Sequence, residues 1–145
     1  MAASTTINIL NRVLLVHNRS LPQYLHDAAP WLRPDDHRSR EALELIVRDQ
    51  RQTVDRIGAF IEENNAIWDL GEYPMAFTGS HDVSFDWLLP VLIDRQKKTV
   101  TYLQRCAAEL SLAPMAKALV EETVGQAKGH LEALEELQQP LAAAH

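Results

Sequence analysis

Apolar residues recur at alternating intervals of three and four along most of the chain, which is the spacing of one face of an α-helix. Segments that alternate apolar and polar residues with a period of two, as half-buried strands do, are lacking. The pattern therefore predicts an all-α protein that forms a single domain over residues 1–145. The four predicted helices cover about residues 6–28, 36–67, 85–110 and 112–138.

Prolines fall at informative places in this pattern. Pro30 and Pro34 separate the first two predicted helices, and Pro114 suits the first turn of the fourth, where a backbone N–H has no helical partner. Pro22 falls inside the first predicted helix and removes a backbone hydrogen bond to Asn18. We therefore expect a kink in that helix.

The lengths of the connections predict the topology. About six residues join the first two helices, and two or three join the last two, so each pair should be antiparallel. About sixteen residues, 68–83, separate the second helix from the third, and at about 3.3 Å per residue they could reach about 50 Å. A helix of 25 residues is only about 37 Å long. We therefore expect a four-helix bundle with one long crossover between helices two and three.

A polar layer is predicted at mid-height of this bundle. The core-facing stripe of each helix is apolar except near its centre, and the centres of packed helices of equal length lie at one height. The residues of this candidate ligand-binding layer are His17, Gln50, Thr53, Gln96, Gln126 and, as an alternative to Gly129, His130. An unsatisfied buried polar group costs about 1–3 kcal/mol, so these side chains either bond one another or bind a ligand or metal.

The same positions resemble the ferritin-like superfamily, in particular bacterioferritins and rubrerythrins. Segments 10–17 and 23–28 look like the first helix of that family. Segment 49–53, which reads Asp-Gln-Arg-Gln-Thr, stands where the family has Glu-x-x-His in its second helix. Segment 126–129, which reads Gln-Ala-Lys-Gly, stands where the fourth helix repeats that motif. The resemblance spans essentially the whole chain, and it implies a ferritin-like bundle with the long crossover.

The resemblance also implies a di-iron centre, which the family holds with four glutamates and two histidines. In this chain the matching positions carry His17, Gln50, Thr53, Gln96, Gln126 and Gly129. Iron prefers anionic oxygen ligands, for which neutral amides are poor substitutes. We therefore expect a degenerate di-iron site without ferroxidase activity, no catalytic residues and no cofactor, in a protein that binds a small ligand or has a structural role.

One alternative retains a metal. If helix four is shifted by one residue, His130 faces the centre, and Glu122 lies one turn before Gln126. Together with His17, these residues could hold zinc or iron in a mononuclear site and support a metal-dependent oxidoreductase. The competing interpretation of Glu122 is that it belongs to a solvated helix face.

Composition excludes several classes of function. The chain has 20 Asp and Glu against 14 Lys and Arg, a formal charge of −6, and no basic run of the kind that binds nucleic acid. No apolar segment approaches the roughly 20 residues of a membrane-spanning helix. A single cysteine cannot form an internal disulfide, so we expect a cytoplasmic protein.

Two kinds of protein partner are also suggested. Segment 13–16, Val-Leu-Leu-Val, is apolar on more than the core-facing side of the first helix, which is typical of a subunit interface. Ferritin-like proteins commonly dimerise through their first two helices, so we expect a homodimer of that kind. A further hypothesis is an accessory protein that recognises an unknown partner through the crossover at residues 68–83.

Overall fold

The computed structural model describes residues 2–28, 37–67, 77 and 85–139. These residues form five α-helices, and no strand occurs among them, so the predicted all-α class is confirmed. None of these helices has an apolar stretch long enough to span a membrane. The helices are α1 (Ala2–Asn18), α2 (Leu21–Ala28), α3 (His37–Glu63), α4 (Phe85–Ala108) and α5 (Pro114–Leu137).

The first predicted helix is interrupted, not kinked. Helix α1 ends at Asn18 and α2 begins at Leu21, because Pro22 has no N–H and its ring would clash with the carbonyl group of Asn18 in a continuous helix. Ser20 caps the new helix, since its Oγ accepts a hydrogen bond from the N–H of Gln23 at 3.3 Å. The break thus combines a proline in the first turn with a serine N-cap.

Helix α3 ends at Glu63, four residues before the predicted end. Asn65 has a positive φ of 59°, which asparagine tolerates better than most residues. The N–H of Ala66 donates to the carbonyl of Ile61 at 3.1 Å, and that of Asn65 donates to the carbonyl of Glu62 at 3.0 Å. This pair of bonds is a Schellman motif, which satisfies the last carbonyl groups of the helix.

The last two helices begin and end close to the predicted residues. Pro90 lies within α4, where it removes only the bond to the carbonyl of Asp86 in the first turn. Pro114 begins α5, and the short segment 109–113 makes α4 and α5 antiparallel neighbours. The predicted crossover surface, residues 68–83, lies outside the described residues except for Phe77, which is buried.

Two apolar clusters form the core of the bundle. The first cluster contains side chains from α1, from the C-terminal halves of α3 and α4, and from the N-terminal half of α5. The second contains side chains from α2, from the N-terminal halves of α3 and α4, from the C-terminal end of α5, and Phe77. The helices continue from one cluster to the other, and polar side chains occupy the space between them.

The helical spacing in the sequence predicts a core-facing stripe through Met115, Glu122 and Gln126 in α5, but the observed stripe lies one residue further along the chain. Met115 and Glu122 are exposed, and the buried residues are their next neighbours along the chain. Alanine and valine lie on both sides of this helix, so its apolar pattern fits two stripes about equally well. The buried residues of α5 are Ala116, Val120, Thr123, Ala127, His130 and Leu134.

Candidate functional site

The polar layer between the two apolar clusters comprises side chains from every helix. Five of its six predicted members are buried, namely His17, Gln50, Thr53, Gln96 and His130. Gln126 is only half-buried and Gly129 is exposed, because of the one-residue difference in α5. The buried residues that the sequence analysis missed are Gln23 and Thr123.

Gln50 lies at the centre of a network that joins the α1–α2 break to α3. Its Oε1 accepts hydrogen bonds from Ser20 Oγ at 2.7 Å and from Gln23 Nε2 at 3.3 Å. Gln23 Nε2 also donates to the carbonyl of Val47 at 3.0 Å, and Gln23 Oε1 accepts from Arg51 Nε at 3.2 Å. The network holds the break against the middle of α3.

Contacts between α3 and α5 show that these two helices are antiparallel. Thr53 Oγ1 donates to Gln126 Oε1 at 3.1 Å. One turn later in α3, the guanidinium group of Arg56 forms two hydrogen bonds of 2.7 and 2.8 Å with Glu122, which comes one turn earlier in α5. Residue numbers therefore rise along one helix as they fall along the other.

Gln96 links α4 to α5 through the backbone. Its Nε2 donates to the carbonyl of Ala127 at 3.0 Å, and that carbonyl lies on the buried side of α5. Among the described residues, no buried side-chain nitrogen or oxygen lacks a hydrogen-bond partner. The predicted layer is therefore internally satisfied, which removes the cost of burying its polar groups.

His17 is neutral at physiological pH. Burial lowers its pKa from 6.5 to about 4, and nearby His130 also lowers this pKa, whereas the bond to the Val13 carbonyl opposes the shift. The Nδ1 atom lies 2.8 Å from that carbonyl oxygen, which can only accept, so Nδ1 carries the proton. The Nε2 atom of the neutral ring then has a lone pair.

His130 faces the same layer from α5. Its Nε2 lies 2.8 Å from Asp49 Oδ2 on α3, and the imidazole is almost fully buried. Because a carboxylate only accepts, this contact assigns a proton to Nε2 and leaves the lone pair of a neutral ring on Nδ1. Asp49 orients the imidazole in the way that carboxylates orient metal-binding histidines.

The predicted metal ligands are only partly brought together. His17 and His130 lie within electrostatic range of one another, whereas Glu122 lies on the surface with about half of its side chain exposed. The hydrogen bond from Arg56 lowers the pKa of the Glu122 carboxyl group, which is paired with that guanidinium group and not directed toward the histidines. Within the described ranges, no three His, Cys, Asp or Glu side chains are close enough together to hold a metal ion.

A groove of about 280 Å³ opens beside the layer, between the α1–α2 break and α4. Gln96 belongs to both the layer and the groove. The apolar part of the groove is lined by Val16, Leu21, Pro22, Phe77 and Leu92. Its polar part is lined by Arg19, Ser20, Arg95, Gln96, Lys98, Thr99 and Tyr102.

All charged residues among these lining residues are cationic. The guanidinium carbon of Arg95 lies 4.6 Å from the centroid of the Phe77 ring, and that ring also packs against Tyr24 at 5.7 Å. Lys98 Nζ lies 3.0 Å from Asp94 Oδ2 one turn earlier in α4, and both of these side chains are largely exposed. Burial raises the pKa of the Tyr102 hydroxyl, which therefore remains a proton donor.

No protein-family model, curated protein or solved structure matches this chain. Its function is therefore inferred from the layer and the groove themselves. The layer can fix the register of the helices, and its two histidines can offer ring nitrogens to a ligand. The groove can admit a small molecule.

A sequence signal that the helical stripe does not use could have located Gln23, whereas no such signal indicates the partner of Asp49. Ser20 and Pro22 together are typical of a helix N-terminus, which places Gln23 in the first turn of a new helix and directs it toward α3. Asp49 precedes a predicted layer residue, but its partner His130 is 81 residues away, and the helical spacing does not indicate that pairing.

Proposed function

We propose that this protein is a non-catalytic, small-ligand-binding bundle of ferritin-like topology that has lost the di-iron site. The observation that carries the proposal is the groove at the α1–α2 break, which reaches the polar layer at Gln96. A cavity that joins an apolar wall to a few polar groups is the usual form of a small-molecule site.

The direction of the helices supports the ferritin-like topology. Helix α5 is antiparallel to α3 by its side-chain contacts, and antiparallel to α4 through the short 109–113 connection. It follows that α3 and α4 run in the same direction, as the second and third helices of a ferritin-like bundle do. The N-terminal halves of both helices also contribute to the same apolar cluster.

The chemistry of the layer supports the loss of iron. The residues at the family's ligand positions are neutral, and the amides Gln50, Gln96 and Gln126 all form hydrogen bonds inside the protein. Replacing these bonds with metal coordination would leave their present partners unsatisfied. These contacts support a layer that acts as a hydrogen-bonded network in place of a carboxylate cage.

The ligand-binding proposal is tested by filling the groove. Thr99 is half-buried at its edge, so Thr99→Trp should occupy the cavity without removing a charge. In ligand-observed NMR with a library of small fragments, we expect binders of the wild type to be lost in Thr99→Trp. Gln52→Trp, at an exposed position of α3, is the matched control and should retain them. If no fragment distinguishes Thr99→Trp from the control, the groove is not a binding site.

A second candidate function, metal binding, is favoured by the two buried histidines. Each has one ring nitrogen held by an oxygen acceptor, which is how metal-ligating histidines are oriented. Elemental analysis after equilibration with zinc or ferrous iron tests this candidate. About one equivalent of metal per chain, lost in His17→Ala and retained in His26→Ala, would support it over the metal-free proposal.

We also propose that the protein is a cytoplasmic homodimer that associates through its first and second predicted helices, that is, through α1, α2 and α3. Leu45 on α3 is 42% exposed, and Leu15 on α1 is only half-buried. The buried free thiol of Cys106 agrees with a reducing compartment.

A further inference from the structure

We propose that the groove between the α1–α2 break and α4 binds a small organic carboxylate of about ten non-hydrogen atoms, most of which belong to an apolar body. This assignment rests on the proposed ligand-binding function and specifies the class of ligand. It depends on three properties of the groove, which are its size, its apolar wall and the sign of its charges.

The size and the apolar wall limit the ligand to a small hydrophobic body. A volume of about 280 Å³ lies just below the usual range for small-molecule sites, roughly 300–1,000 Å³. Leu21, Leu92 and Phe77 form the buried part of the wall, and Val16 lies at its edge. A short aliphatic chain or a single aromatic ring would replace water against these side chains.

The charges of the residues that line the groove favour an anionic ligand. The protein has a formal charge of −6, yet the charged residues that line the groove within the described part of the chain are Arg19, Arg95 and Lys98. Arg95 is half-buried, and its stacking on Phe77 restrains the guanidinium group at the groove. A restrained, planar guanidinium group suits a carboxylate because it can donate two parallel hydrogen bonds.

Hydroxyl groups complete the polar side of the groove. Thr99 can donate a hydrogen bond to a carboxylate oxygen, whereas the Tyr102 hydroxyl already interacts with Cys106 and Arg12. Lys98 is already paired with Asp94, so its ammonium group adds long-range attraction more than a dedicated contact. We therefore expect Arg95 to contribute most of the selectivity for an anion.

Isothermal titration with three molecules of equal chain length tests the assignment. Octanoate, octylamine and octan-1-ol share the apolar body and differ in charge. We expect octanoate to bind more tightly than the other two, and more weakly as salt is added. Arg95→Gln should weaken octanoate binding by about tenfold, whereas Arg95→Lys should retain part of the affinity. Lys128→Gln, on the exposed face of α5, is the control for the loss of one positive charge.

The possible outcomes distinguish a failure of the carboxylate assignment from a failure of the proposed ligand-binding function. If octanol or octylamine binds as tightly as octanoate, or if Arg95→Gln binds like the Lys128→Gln control, the carboxylate assignment is wrong and the binding function stands. If none of the three binds but uncharged fragments bind the wild type and not Thr99→Trp, the carboxylate assignment is again wrong and the binding function stands. If neither these molecules nor any fragment depends on Thr99, both proposals fail. Thermal melting of each variant shows whether a loss of binding reflects unfolding. Lys98→Gln, at an exposed position, is included as a second charge variant.

Discussion

At the scale of single residues, His17 illustrates how burial determines charge. The ring is enclosed at mid-height of the bundle, and its single proton is held by the Val13 carbonyl. A charged imidazole would lose its hydration there and lie close to His130. The side chain therefore behaves as a neutral polar group that folding has made difficult to protonate.

This pKa predicts a loss of stability in acid. Above pH 6.5, His17 is neutral in both the folded and the unfolded chain, so its protonation does not lower the free energy of unfolding. As the pH falls from 6.5 toward 4, only the unfolded chain gains the proton, and the free energy of unfolding should decrease by up to about 3 kcal/mol. Urea unfolding of wild type and His17→Gln at pH 7 and pH 4.5 measures this contribution.

The comparison between the two proteins isolates the contribution of His17, because the Asp49–His130 pair is present in both of them. We expect the loss of stability between the two pH values to be smaller in His17→Gln than in the wild type. His26→Gln, at an exposed position on α2, should lose as much as the wild type. Equal losses in all three proteins would show that His17 is not protonated on unfolding in this range.

The network at Gln50 predicts that alanine substitutions at Gln50 and Gln52 change the free energy of unfolding by different amounts. Gln50→Ala removes the acceptor for Ser20 Oγ and one of the acceptors for Gln23 Nε2, whereas Gln52 is exposed. We expect Gln50→Ala to lower the free energy of unfolding by about 1–3 kcal/mol, and Gln52→Ala to change it by less than about 0.5 kcal/mol. Chemical denaturation at pH 7 compares the two. Similar small effects would mean that the layer contributes little to stability.

At the scale of helices, local signals set the ends and tertiary contacts set the faces. The α1–α2 break follows from Ser20 and Pro22, and the end of α3 follows from Asn65, so both are encoded within a few residues. The buried face of α5 is different, because its small apolar residues fit two stripes. Packing against α3 and α4 together selects the stripe that buries Thr123 and Ala127.

Two glycines in α5 provide a test of which face of this helix is buried. A Cβ atom added at Gly125 or Gly129 would meet nothing within 4 Å, and both residues are exposed in the interior of the helix. Because glycine has more conformational freedom to lose on folding, each Gly→Ala substitution should stabilise the protein by about 0.5–1 kcal/mol. Thermal or urea unfolding measures the change. A loss of stability at Gly129 would instead place that residue in a packed interface.

At the scale of the whole molecule, the layer and the two apolar clusters divide the bundle along its length. The clusters supply most of the buried apolar surface, and the layer fixes how the helices align, because a shift of one turn would separate the pairs Thr53–Gln126 and Asp49–His130. The groove opens at the level of the layer, where the break in the first predicted helix interrupts the packing.

The proposed homodimer makes a prediction at this scale. A charge at Leu45 would have to be buried in an interface formed by α1, α2 and α3, which is unfavourable for an unpaired carboxylate. We expect the wild type to have the mass of a dimer in size-exclusion chromatography with light scattering, and Leu45→Glu to shift toward the monomer. Glu44→Gln, also exposed on α3, is the control. A wild-type protein with the mass of a monomer would contradict the proposal directly.

The sequence by itself determined the helical class, most helix ends and the polar character of the bundle centre. These properties depend on periodicity and on local backbone chemistry, both of which can be read from neighbouring residues. Only the tertiary structure decided that His130 and not Gly129 faces the layer, that Asp49 is its partner, and that a groove with a cationic lining opens at Gln96. Those features depend on contacts between residues far apart in the chain, where a rotation of one helix by a single position changes every partner.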